Sequence, residues 1–288
     1  MAAENTILSP VDSKPGILPA LGVWRSEDGQ QTLVSSTFPE PAGFTCDTWC
    51  YENDSIDFSS AQAMEEGKIQ MRHTWRDHAE TLITVVTPRP ESVEFVAYLE
   101  DAGSHKPIAA KEYPAPNACW QLRHAPMFAS KPDPYPEFVK RCFIFTDRGL
   151  TFLDRTERFN VPPYPPDHRY NNPPWVQMYL PVWERLRQAG PDSWAAYSTD
   201  RFIYPVIGAV SRDGRYLAAT ATEATTMMCQ AWHDCMHHSP QWLPTEGGTH
   251  KTWRMAIYVL RNDPAELLRR VAADFPGAMT LKDKRVPA

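Results

Sequence analysis

Hydrophobic and polar residues alternate along much of the chain with the period of β-strands. In the segment 68–76, Ile69, Met71 and Trp75 fall on one side, and most of the intervening residues are polar. This two-residue period is typical of a strand with one buried face. His73 falls on the apolar side of the same segment. Further strand-like runs occupy 31–36, 81–87, 92–98, 141–146, 151–154, 202–210, 216–222 and 252–260.

Short turns rather than helices separate most of these runs. The tripeptides at 147–149 and 212–214 each end in a glycine between two apolar segments, as in β-hairpins. Many short strands joined in this way are typical of two stacked antiparallel sheets. We therefore predict a mostly β fold, a large antiparallel β-sandwich.

The clearest helix signal follows the last strand. Asp263 is a typical N-cap, Pro264 suits the first helical position, and an apolar stripe continues to Phe275. The pattern also predicts a short helix at 175–188. The segments 106–136 and 161–175 are rich in proline, which predicts a long loop with short elements in the first segment and a long loop in the second. We interpret residues 1–30 as an irregular lead-in and 31–288 as one β-sandwich domain with a C-terminal helix.

Composition and charge restrict the class of partner. The 288 residues include 28 prolines, 10 tryptophans, 11 tyrosines and 12 phenylalanines, which favours short strands and rigid loops. A formal net charge of -6 offers no basic field to a phosphate backbone, so no nucleic-acid partner is expected. No segment of the sequence is an apolar run long enough to cross a membrane, and the first 30 residues carry Asp, Glu and Lys where a secretory signal would need an apolar stretch. We therefore expect a soluble, cytoplasmic protein whose six cysteines are mostly buried thiols.

The segment 232–238 contains the densest group of side chains that can bind metal: His233, Cys235, His237 and His238. On a straight strand, His233, Cys235 and His237 would share one face. The outer two would then lie ~13 Å apart, so binding of one divalent ion by all of them would need a bend. Three interpretations stay open: histidines that catalyse a reaction or contact substrate, a metal site, and structural histidines.

A further set of polar and aromatic residues offers the means to bind and cleave an acidic sugar. Candidate substrate-binding residues are Arg72, His168, Asn172, Trp175, Trp232 and Trp242. Cleavage of a uronic-acid glycoside by β-elimination requires neutralisation of the carboxylate and removal of a proton by a base. For that reaction, His233 or His237 is the predicted base, Tyr170 the acid and Arg169 the carboxylate clamp. His73 is a further catalytic candidate, because a histidine on an apolar face is either structural or lines a cleft.

Parts of the chain resemble the galactose-mutarotase-like supersandwich proteins. The resemblance lies in the segments 81–95 and 210–221, the histidine-rich segment and the terminal strand and helix. It implies a supersandwich-like fold and a carbohydrate ligand, and it covers the chain from about residue 30 onward.

Three functions follow as hypotheses. The first is a lyase acting on a uronic-acid-containing oligosaccharide, with epimerisation as the second choice of reaction. The second is a noncatalytic carbohydrate-binding module with a stacking surface of tryptophans. The third is a metal-dependent enzyme with a small non-sugar substrate, for which a divalent ion would be the cofactor. The sequence leaves the oligomeric state open.

Overall fold

The computed structural model describes residues 20–26, 29–36, 42–51, 55–108, 113–125, 127–128, 135–158, 176–187, 195–231 and 235–283. These segments form two large sheets. The first sheet has eight strands, ordered β1 (Ala20–Ser26), β2 (Gly29–Ser36), β3 (Ala42–Trp49), β8 (Asn117–His124), β16 (Cys235–Pro240), β15 (Thr225–Ala231), β11 (Val176–Tyr179) and β12 (Ala195–Tyr197). Neighbouring strands are antiparallel except for β11 and β12, which are parallel.

The second sheet is antiparallel and has ten strands. Its order is β10 (Gly149–Phe152), β9 (Cys142–Thr146), β13 (Tyr204–Val210), β14 (Tyr216–Thr222), β18 (Lys251–Arg261), β7 (Ser92–Asp101), β6 (Glu80–Arg89), β5 (Ile69–Trp75) and β4 (Ile56–Ala63), with β17 (Leu243–Pro244) beside β18.

The two sheets stack face to face around a shared apolar core. Phe44, Trp120 and Met236 from the first sheet pack in one cluster with Phe95 and Trp253 from the second. Hydrogen bonds also cross the core, such as the one of 2.9 Å between the hydroxyls of Thr48 and Thr84. The buried apolar surface of this layer is the main source of stability that the fold offers.

Short helices cover part of the outer face of the second sheet. They are α2 (Pro264–Asp274) and α3 (Pro276–Thr280), while α1 (Tyr135–Val139) precedes β9. Leu267, Val271 and Phe275 pack against strands β9, β13, β14 and β18. This helical layer covers β14 on the outside, so all seven residues of β14 are buried. Strand β5, by contrast, alternates between buried and half-buried positions.

The structure confirms the predicted β-sandwich with a C-terminal helix. The Asp263 carboxylate accepts hydrogen bonds from the backbone N–H groups of Ala265 and Glu266, as an N-cap does. Within the described segments, no helix is long and apolar enough to cross a membrane.

Three elements differ from the sequence-based expectation. Strand β1 lies at 20–26, inside the segment that was expected to be an irregular lead-in. Strand β8 lies within the expected loop at 106–136 and occupies an interior position of the first sheet. The expected helix at 175–188 begins instead with strand β11, whose four residues are all buried.

Candidate functional site

The outer face of the first sheet carries a row of polar and sulfur-containing side chains. Strand register places Asp47 of β3 opposite Cys119 of β8, and Cys119 opposite His237 of β16. Cys229 of β15 continues the row beyond His237. Cys235 lies on the same face as His237, because residues two apart on a strand point to the same side. The row therefore brings together groups that are far apart in the sequence.

Cys119, Cys235 and His237 form a compact cluster, the CCH cluster. The Cys119 Sγ atom lies 2.8 Å from the Cys235 Sγ atom. The Cys235 Sγ atom lies 2.9 Å from the Nε2 atom of His237. The three potential ligand atoms all lie within 4.8 Å of one another. One ion could contact all three, because zinc–sulfur and zinc–nitrogen bonds are about 2.0–2.3 Å long.

Neighbouring side chains orient the imidazole of His237. Its Nδ1 atom lies 3.3 Å from the side-chain oxygen of Asn117, which can accept only if Nδ1 carries the proton. That tautomer leaves the Nε2 lone pair directed at the sulfur atoms. The ring of Trp49 meets the imidazole edge to face at a centroid distance of 6.0 Å. Together, these contacts set the orientation of the imidazole ring. Metal-binding histidines are commonly oriented in this way, by a hydrogen bond from the ring nitrogen that does not bind the metal.

The electrostatics of the cluster shift the pKa values of Cys119 and His237 in opposite directions, each towards the charged form. A hydrogen bond from Cys235 lowers the pKa of Cys119, and the His237 charge lowers it further against the effect of burial. Burial alone would lower the pKa of His237, but the charges of Cys119 and Asp47 outweigh burial and raise it. A thiolate is the form in which cysteine binds metal or acts as a nucleophile.

A cleft of about 480 Å³ adjoins the cluster. Trp49 and Asn117, which both contact His237, are among its lining residues. Tyr51 and His78 form another part of the wall and stack at a centroid distance of 3.4 Å. No Lys, Arg, Asp or Glu side chain is among the described residues that line this cleft. The aromatic side chains of Trp49 and Tyr51 offer flat apolar faces in this cleft.

The structure brings some of the predicted site residues together and separates others. Cys235 and His237 share a face and belong to the cluster. His238 points the opposite way, into the core, where its Nε2 atom lies 2.8 Å from the Thr220 hydroxyl. His238 is therefore not a partner of Cys235 and His237 for one ion, because consecutive strand residues face opposite sides of a sheet. Seven other candidates lie outside the described residues: Tyr170, Arg169, His168, Asn172, Trp175, Trp232 and His233.

Three further candidates are described, and none of them joins the cluster. His73 lies in the core of the sandwich, fully buried, and neither of its ring nitrogens has a hydrogen-bond partner among the described residues. Arg72 faces outward from the second sheet and pairs with Glu100 at 3.2 Å. The indole of Trp242 donates to the Pro114 carbonyl oxygen at 2.7 Å and packs on Tyr113. His73 and Arg72 lie on β5 of the second sheet, whereas His237 lies on β16 of the first, so these two residues are apart from the described part of the histidine-rich segment.

Sequence reasoning missed Cys119. It was interpreted as a buried thiol within a loop, and no local motif links it to Cys235, which is 116 residues away. The available signal was the alternation of Ala118, Trp120 and Leu122 with Cys119 and Gln121, which marks β8 as a strand. Even that signal would not have identified β16 as the neighbouring strand.

Comparison with known proteins assigns no family to this chain. No family model matches it, and no curated protein matches it. Among solved structures, the crystal structure of the Slr1438 protein from Synechocystis sp. PCC 6803 gives a TM-score of 0.34 at 8% sequence identity, covering 89% of this chain and 99% of that chain. Similarity at that level carries no information about function.

Proposed function

We propose that this protein is a metal-dependent enzyme acting on a small molecule, with a zinc-type divalent ion bound by Cys119, Cys235 and His237. The observation that carries the proposal is the convergence of three ligand atoms within 4.8 Å of one another. Two sulfur ligands and one imidazole favour zinc over magnesium, calcium or manganese, which prefer oxygen. This is the third of the hypotheses that the sequence left open.

The number of ligands favours catalysis over a purely structural role. Structural zinc sites are closed by four protein ligands, whereas catalytic sites keep three and leave a position for water or substrate. Among the described residues the cluster supplies three side chains, and the next residue in the row, Asp47, is a buried acid outside that set. When bound, the ion would polarise a substrate oxygen or lower the pKa of a bound water.

The substrate would bind in the adjoining cleft. Asn117 lines the cleft and also contacts His237, so a ligand there would lie next to the side chains that hold the ion. Trp49 and Tyr51 offer apolar faces, and Asn117 offers hydrogen-bonding groups. This combination supports a small polar molecule with a ring or another flat surface.

The test is the metal content of the protein purified without chelator. We expect one zinc-type ion per chain and its loss in Cys119→Ala and in His237→Ala. Cys229→Ala is the matched control, because Cys229 lies on the same face, opposite His237, and is outside the CCH cluster. If the wild-type protein binds no ion, even after reconstitution with zinc, or if Cys229→Ala loses the ion equally, the proposal is wrong.

The carbohydrate lyase stays a prediction. Its proposed acid, Tyr170, and its clamp, Arg169, lie outside the described residues, so their positions carry no argument for or against it. An ion at the CCH cluster would offer another means of neutralising a uronate carboxylate. A panel of uronate oligosaccharides therefore belongs in the first substrate screen, with ultraviolet absorbance of the unsaturated product as the readout. An absorbance rise that a chelator abolishes would indicate that the protein is a metal-dependent lyase.

A further inference from the structure

The two cysteines of the CCH cluster are closer together than metal binding alone requires. Their sulfur atoms are 2.8 Å apart. A disulfide bond is about 2.05 Å long, so the atoms need to approach by about 0.8 Å to form one. Diagonal neighbours on paired strands are about 7–8 Å apart, and a disulfide usually joins Cα atoms about 4.4–6.8 Å apart, so the bond requires side-chain rotation together with a small local approach of the two strands.

The pairing of two strands places Cys119 and Cys235 near each other. Cys119 lies on β8 and Cys235 on β16, two strands that are hydrogen-bonded neighbours. Cys119 pairs in register with His237, and Cys235 pairs with Gln121, so the two cysteines occupy diagonal positions on one face. Both residues are buried, with exposed fractions of 7% for Cys119 and 2% for Cys235. Packing on both sides therefore keeps the sulfur atoms together in the reduced protein.

A disulfide at this position would consume two of the three proposed metal ligands. The sulfur of a disulfide carries no charge and is a poor ligand for zinc, since the thiolate is the binding form. His237 would remain as the sole ligand of the cluster and could not retain the ion alone. Oxidation and metal binding are therefore mutually exclusive at these residues.

We propose that a peroxide-class oxidant joins Cys119 and Cys235 in a disulfide and thereby releases the metal ion, so that the site is active only in the reduced protein. The release of the ion rests on the proposed function, whereas the formation of the disulfide does not. Asn117 and Trp49 contact His237 and line the neighbouring cleft, which gives a small oxidant a route to the edge of the cluster.

The chemistry balances with hydrogen peroxide as the oxidant. One thiolate sulfur attacks a peroxide oxygen, the O–O bond breaks, and the hydroxide that leaves takes up a proton to become water. The second thiolate then attacks the sulfenic sulfur, forming the S–S bond and breaking the S–O bond. The departing hydroxide also takes up a proton. In total, two thiolates lose two electrons, and one peroxide and two protons become two waters.

The experiment treats the full-length, metal-loaded protein with hydrogen peroxide under native conditions. Three quantities are followed together: free thiols, ion released to a coloured chelator, and linked peptides identified by mass spectrometry. We expect a loss of two of the six thiols per chain, release of one ion, and a peptide pair linking Cys119 to Cys235. A thiol-free phosphine reductant should restore the thiols and the binding of zinc.

Two variants separate this inference from a general sensitivity to oxidation. Cys235→Ala should form no linked peptide, and Cys229→Ala should behave like the wild-type protein. A metal-loaded protein that keeps its ion, or loses it without a link between Cys119 and Cys235, overturns the inference and leaves the proposed metal site standing.

Treating the metal-free protein with hydrogen peroxide in the same way tests whether the disulfide can form when the proposed metal site fails. If the chain never binds an ion but still forms the Cys119–Cys235 link, the metal-dependent function fails and the release of an ion fails with it. The oxidisable cysteine pair would then stand by itself.

Discussion

Individual cysteines in this protein differ in chemistry because of their neighbours. Burial raises the pKa of the Cys46 thiol well above its ordinary value, and it raises the pKa of the Cys229 thiol as well. Cys119 is equally buried, yet hydrogen bonding from Cys235 and the His237 charge lower its pKa. Residue type and burial alone would have grouped all of these thiols together. The hydrogen bond from Cys235, together with the charge of His237, distinguishes the pKa of Cys119 from those of Cys46 and Cys229.

Asn117 should affect the affinity of the CCH cluster for zinc, although it is not itself a ligand. Its side-chain oxygen fixes the tautomer of His237 that presents Nε2 to the sulfur atoms. Loss of such an outer partner typically costs about 10- to 100-fold in metal affinity. We therefore expect Asn117→Ala to weaken zinc binding by that factor, measured by competition with a chelator of known affinity.

Ser239→Ala provides the control for this measurement. Ser239 lines the same cleft and follows His237 by two residues on β16. Its replacement should leave the affinity for zinc within about twofold of the wild-type value, well below the change expected for an outer partner of the histidine. Equal affinities in Asn117→Ala and the wild-type protein would show that the contact does not orient the ligand.

At the scale of strands, a local signal, either alternation along the strand or an adjoining turn, decided what could be predicted from the sequence. Strand β5 was predicted closely, because its buried and half-buried positions alternate. Strand β11 was assigned to a helix, because four consecutive buried residues have no measurable period. Strand β8 does alternate, but Pro114 and Pro116 precede it and the surrounding prolines indicated a loop.

The candidate site was only half predictable for a related reason. Cys235 and His237 were identified together because they lie two residues apart on a strand, and that spacing is visible in the sequence. Cys119 joins them only through the pairing of β8 with β16. Sheet order is a long-range property, and one sequence contains no pattern that specifies it.

The pairing of strands also creates a position where only glycine fits. A Cβ atom on Gly208 of β13 would lie 2.5 Å from the carbonyl oxygen of Ala218 and 2.7 Å from a ring carbon of Phe143. The first of these atoms is backbone of the paired strand and cannot move away cheaply. We expect Gly208→Ala to lower the free energy of unfolding by about 1–3 kcal/mol, as overpacking does, measured by urea denaturation.

Gly277→Ala is the matched substitution for this test. No described atom lies within 4 Å of a Cβ at Gly277, which belongs to α3. Alanine is favoured over glycine in a helix, so the free energy of unfolding should rise slightly or stay unchanged. Similar losses in both variants would mean that the contacts around Gly208 are not the cause.

For the whole molecule, the sandwich buries two uncharged histidines between its sheets. Burial lowers the pKa of His73 to about 4 and that of His238 to about 3. In the unfolded chain, both groups titrate near the ordinary value of about 6.5. Between those values the unfolded state binds protons that the folded state does not. The contribution of these two histidines to the free energy of unfolding should therefore be greatest above pH 6.5 and fall as the pH decreases towards 4.

This loss of stability should reach at most about 1.4 kcal/mol per pH unit for each of the two histidines. We expect His73→Leu to remove the contribution of His73 to this pH dependence. The free energy of unfolding should then fall less steeply between pH 6.5 and 5, as measured by urea denaturation at a series of pH values. The range stops at pH 5 because carboxylates whose pKa is lowered in the folded state, such as Asp213 and Glu266, begin to contribute at more acidic pH. His78→Leu is the control substitution, because His78 is exposed in the turn that follows β5 and lies outside the core between the sheets. If His73→Leu keeps the wild-type slope, His73 is protonated in the folded protein at these pH values, and the core between the sheets must then stabilise that charge.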